Sequence, residues 1–169
     1  MKLFFGLLAL ILAISVYKTY VVKPPVEGAA VESHGISAEN LSKLTAASKS
    51  GDRFAQYKLG LLYARGGIGP DSDFKKAHEL LLQSAMQGVP KAQYHLGEMY
   101  VRGDGVEENY EEATVWFWLA TSLGDVYSQK RLRAMNTRIS SQELANAKAR
   151  VDRLWEKIPH DLKADKSLH

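Results

Sequence analysis

The residues of this chain best suited to metal ligation or proton transfer are five histidines, His34, His78, His95, His160 and His169. No two of them are spaced to share one helix face as a ligand pair, so structural histidines are expected and no metal centre. The chain has no cysteine, which rules out a disulfide framework, thiolate chemistry and a cysteine-linked lipid anchor. Gly66-Gly67-Ile68-Gly69 and Gly103-Asp104-Gly105 look like phosphate loops but lack the lysine and the preceding strand that such loops use. Arg102-Gly103-Asp104 spells an adhesion tripeptide whose glycine already has a place in a turn. The acidic run from Glu107 to Glu112 stands at a predicted helix start, where the dipole favours carboxylates, and it lacks the alternating oxygen ligands of a calcium loop. No Ser/His/Asp set assembles from the spacing. The expectation is a chain without catalytic residues, metal or cofactor, whose function rests on a surface.

That surface depends on a repeated element. Ala55-Gln56-Tyr57-Lys58-Leu59-Gly60 returns as Ala92-Gln93-Tyr94-His95-Leu96-Gly97, and Tyr63 and Gly66 return as Tyr100 and Gly103. Past the glycine turn, Ala77 and Gly88 return as Ala113 and Gly124 with an offset one residue shorter, so the first turn carries one extra residue. A period of this length marks a stacked array. Ala55, Leu59 and Tyr63, like Ala92, Leu96 and Tyr100, draw an apolar stripe along a helix. Gly60 and Gly97 interrupt those helices at a cost of roughly 1 kcal/mol each against alanine, which implies another helix too close for a Cβ. The second helix of each copy carries Ala77, Leu80, Leu81 and Ala85, or Ala113, Trp116, Phe117 and Ala120. A helical hairpin with such a face cannot bury it alone. The copies must stack, which predicts an all-α, short right-handed solenoid with a groove lined by the first helices.

Alanine, Leu-Gly, tyrosine, a glycine turn, a second alanine, an aromatic and a closing glycine follow one another in the second copy as Ala92, Leu96-Gly97, Tyr100, Gly103 to Val106, Ala113, Trp116, Ala120 and Gly124. This pattern resembles the Sel-one-like repeat (SLR) family, a relative of the tetratricopeptide repeat. The resemblance implies groove-facing positions at Phe54, Tyr57, Leu61 and Arg65, then Lys91, Tyr94, Glu98 and Arg102, then Tyr127, Lys130 and Arg138. Tyrosine and arginine are common anchors of protein interfaces, and the ladder suits an extended segment with acidic or polar-aromatic side chains. The competing reading is that Tyr57 and Tyr94 only cover the seam between helices.

Residues 1–22, an apolar run from Leu3 to Val16 behind Lys2 that extends to Val22 if Lys18 snorkels, read as a signal peptide or signal anchor, the anchor being favoured because no polar stretch precedes the small residues at 13–15. Residues 23–36, with paired prolines, read as a linker. The solenoid is expected over 37–158, with repeats at about 52–88 and 89–124, a degenerate third copy over 125–158 and a tail at 159–169. In that third copy Ser128 and Leu132 keep the pattern, but Arg133 and Asn136 replace the glycine and the tyrosine. Residues 51–124 hold 7 Lys and Arg against 10 Asp and Glu, which argues against nucleic acid as a partner. The function expected is that of a non-enzymatic adaptor for a protein or extended peptide, anchored in a bacterial inner membrane with its domain in the periplasm, or exported after cleavage. The rivals are a regulator or enzyme of peptidoglycan metabolism and a purely structural membrane-tethered subunit.

Overall fold

The structure, a computed structural model, describes residues 36–68 and 72–159. The expected anchor and most of the linker and tail lie outside the described residues, as does part of the first glycine turn. Among the described residues there are seven helices and no strand: α1 (Ala38–Lys49), α2 (Arg53–Ala64), α3 (Phe74–Met86), α4 (Pro90–Arg102), α5 (Tyr110–Ser122), α6 (Val126–Met135) and α7 (Ser141–Trp155). None of these helices is long and apolar enough to cross a membrane.

Helix starts follow from local chemistry. Ser37, Asp52, Asp73, Asn109, Asp125 and Ser140 each accept a backbone N–H of the first turn with their side chains, satisfying a donor that the helix itself leaves open. At the start of α4 the place of Asp52 and Asp125 is taken by Val89, which offers no capping oxygen; Pro90 in the first turn has no N–H to satisfy and carries the φ the helix needs. Ser140 and Glu143 form the reciprocal capping box that their spacing predicts.

The hairpins α2/α3 and α4/α5 pack internally, α3 packs on α4, and α1 covers the outer side of α2. The glycines act as the spacing implies. A Cβ on Gly97 would lie 2.5 Å from Phe117 Cε1, and one on Gly60 would lie 2.9 Å from Leu81 Cγ. Gly105 combines a φ of +73° with a position where a Cβ would lie 2.5 Å from the Phe74 carbonyl, so the second glycine turn rests directly on the first residue of α3. The core runs through both hairpins, from Ala77, Leu81 and Ala85 to Leu96, Val115 and Leu119. A second cluster of Ala113, Phe117 and Met135 joins α5 to the third copy.

The glutamine of the repeated hexapeptide stitches one copy to the next. Gln56 Nε2 donates to the Ser48 carbonyl at 3.4 Å, and Gln93 Nε2 donates to the Ala85 carbonyl at 3.0 Å, in each case reaching eight residues back to the end of the previous helix. The third copy departs where the pattern fails. Helix α6 has 10 residues, and with no glycine turn behind it α7 packs on α5, placing Ala147 and Val151 in the main core.

Candidate partner-binding face

The proposed groove positions lie on α2, α4 and α6, except Arg65 and Arg138, which follow the ends of α2 and α6, and an aromatic ladder connects these three helices. The Tyr57 and His95 rings are 5.9 Å apart, His95 and Tyr94 5.3 Å, and Tyr94 and Tyr127 6.4 Å. Tyr127 is 66% exposed and Phe54 53%, whereas Tyr57 and Tyr94 are half-buried. Tyr94 is also packed on Phe117 at 6.0 Å, a contact that contributes about 0.5–1.5 kcal/mol beyond its buried area. Tyr94 therefore covers the seam and shows an edge to the groove at once. Leu61 is half-buried against the core, while Arg65, Lys91, Arg102 and Lys130 are exposed.

Glu98 sits differently from its neighbours. It is 9% exposed, and Arg131 of α6 forks onto both of its oxygens, through Nε to Oε1 and through Nη2 to Oε2 at 3.2 Å. Arg102 adds a contact at 3.5 Å. The carboxylate is thus held by two arginines, and the bidentate geometry fixes α6 against α4. Glu98 presents those guanidinium groups to the groove in place of its own charge. Arg102 also pairs with Asp104 at 2.7 Å, so the adhesion-like tripeptide closes on itself. Arg138 donates to the Tyr110 hydroxyl at 3.1 Å, which engages it with α5.

His95, which shows no ligand spacing in the sequence, belongs to this face. Burial above all, with smaller contributions from Arg65, Arg102 and Lys91 and with Asp125 opposing, lowers its pKa to about 4, so the ring is neutral near pH 7 and serves as an aromatic step between two tyrosines. His78 of α3, whose pKa burial also lowers, lies 3.3 Å from the Tyr100 hydroxyl of α4. Among the described residues no three His, Asp or Glu groups could hold a metal ion. The repeat did carry a signal for His95 and Arg131: they share one repeat position with Lys58, and all three are basic types. That column lies one residue beyond the positions taken from the resemblance. The acidic run is used structurally: Asn109 caps α5, and Glu112 is bound to Arg150 of α7 at 3.0 Å. Burial raises the Glu112 pKa, and Arg150 works against that shift.

Beside the ladder, at the N-terminal ends of α2 and α4, lies an open cleft of about 420 Å³. Phe54, Tyr57, Val89, Pro90 and Leu123 supply its apolar lining, and Lys58, Lys91 and Asp125 its charged rim.

Residues 53–89 and 90–125 each match the family model described as the Sel1 repeat. A Sel1 repeat protein from Oxalobacter formigenes superposes with a TM-score of 0.54 at 33% identity, over 57% of this chain and 71% of that one. A protective antigen of uropathogenic Escherichia coli with an SLR fold superposes with a TM-score of 0.70 at 25% identity, over 78% of this chain and 28% of that one. The rat DAP3-binding cell death enhancer 1 is 33% identical over 95 residues, which are 56% of this chain, and the match spans 18% of the rat protein. The unit that the glycine contacts close and the glutamines stitch together is the Sel1 repeat, and this chain belongs to the Sel1 repeat family.

Proposed function

We propose that this protein is a non-enzymatic scaffold of the bacterial cell envelope, which seats a partner protein or an extended peptide on the face made by α2, α4 and α6. Sel1 repeat proteins generally mediate protein–protein interaction, and the Sel1 fold is typically a scaffold without catalytic activity. The observation that carries the proposal is the ladder from Tyr57 through His95 and Tyr94 to Tyr127, flanked by the exposed cations of Arg65, Arg102 and Lys130. Aromatic rings and guanidinium groups give large contact areas at low cost in side-chain entropy, which is what interface anchors need. The envelope location rests on the apolar residues 1–22, read as a membrane anchor with the repeats on the periplasmic side, and on the bacterial origin of both similar structures.

Tagged full-length protein, expressed in its own cells, tests the proposal by the set of proteins it retains. Tyr127→Ser combined with Arg102→Ala removes two exposed groups and is expected to lower partner recovery at least about tenfold. Interface anchors commonly contribute 2 kcal/mol or more, whereas exposed substitutions leave stability within about 0.5 kcal/mol. Glu79→Ala on α3 should leave recovery unchanged. Full recovery with the double variant would place the partner elsewhere.

A further inference from the structure

We propose that the cleft between the N-terminal ends of α2 and α4 is an anchor pocket for one large apolar side chain carried on an acidic, extended segment of the partner. This inference rests on the reading of the α2/α4/α6 face as the partner-bearing surface and names the chemistry that the face selects.

The pocket is shaped for an apolar group. Val89, 4% exposed, lines it together with Pro90, Leu123, Phe54 and Tyr57. At about 420 Å³ it falls in the range of pockets that bury a compact ligand or a large side chain. Phe54 is 53% exposed, and the Arg53 guanidinium lies 5.2 Å above its ring centroid, a weak contact.

The rim selects the charge of the segment. Lys58 and Lys91 are exposed, and neither forms an ion pair among the described residues. Asp125 also reaches the cleft, but its Oδ2 accepts the Ser128 N–H at 2.7 Å as the cap of α6. Beyond the rim the surplus continues in one sign. Besides Lys58 and Lys91, helices α2, α4 and α6 carry five lysines and arginines against one glutamate, and that glutamate, Glu98, is held by two of the arginines. A basic or neutral segment would leave Lys58 and Lys91 uncompensated, whereas carboxylates on either side of the anchored side chain pair with them.

Fluorescence anisotropy with the full-length protein and three labelled nonapeptides tests the proposal. The first has one central leucine flanked by aspartates, the second has serine for the leucine, and the third has lysines for the aspartates. The first is expected to bind at least about tenfold more tightly than either of the others. Lys91→Glu and Phe54→Ser should each weaken it about tenfold, while the melting temperature stays at the wild-type value because both side chains are exposed. Equal binding of the serine peptide or the lysine peptide, no binding of the first peptide, or binding unaffected by Lys91→Glu would each overturn the proposal. If the peptide series fails while Tyr127→Ser with Arg102→Ala still abolishes partner recovery, the pocket assignment alone falls. If both fail, the reading of the whole face falls with it.

Discussion

A methyl group at position 97 would have to share space with the Phe117 ring, with its Cβ 2.5 to 2.8 Å from three ring carbons. Phe117 is fully buried, packed against Tyr94 and covered by the Arg131 guanidinium at 5.8 Å, so the ring has nowhere to turn. At position 60 the group in the way is the Leu81 side chain, whose Cγ at 2.9 Å can shift by a small rotation. Alanine gains about 1 kcal/mol over glycine in a helix interior, and overpacking costs about 1–3 kcal/mol. Gly97→Ala is therefore expected to lower the melting temperature by several degrees and Gly60→Ala to leave it within about two degrees, at the few degrees per kcal/mol usual for a domain of this size. Thermal unfolding followed by circular dichroism checks the order. A Gly97→Ala protein as stable as wild type would remove the close-contact account of the repeat.

At the scale of the element, helix boundaries were legible because caps, prolines and glycines act within a few residues. Pro90, Ser140 with Glu143, and the paired Leu-Gly steps all do in the structure what their spacing implies. The contacts made between elements were less legible. The fork of Arg131 on Glu98 spans 33 residues, and the burial of Glu98 depends on where α6 lands, which no local pattern encodes. The path of α7 is of the same kind. Its capping box and apolar spacing could be read, but its seat on α5 follows from the missing third glycine turn. Because Ala147 and Val151 enter the main core, α7 closes the array and is no loose appendage. Val151→Asp buries a carboxylate there and is expected to cost about 2–4 kcal/mol and lower the single melting transition of the whole domain. A separate early transition, with the main one left at the wild-type temperature, would show that α7 folds apart from the repeats.

Over the whole molecule, charge is sorted by helix. Residues 51–124 are net acidic, yet α2, α4 and α6 are rich in lysine and arginine, while α3 and α5 carry three glutamates against two lysines. The ladder, the arginines and the apolar cleft all fall on the basic set. One face thus combines exposed rings with Lys58 and Lys91, which form no ion pair among the described residues, and this steers an acidic partner to it and gives it groups to bury. Site-specific photo-crosslinking in cells tests this most directly, with a photoreactive phenylalanine analogue placed in turn at Tyr127 and Lys91 on the basic face and at Lys76 and Glu79 on α3. The account predicts one and the same partner adduct from Tyr127 and Lys91 and none from Lys76 or Glu79. An adduct that forms from the α3 positions and is absent from Tyr127 and Lys91 would contradict it.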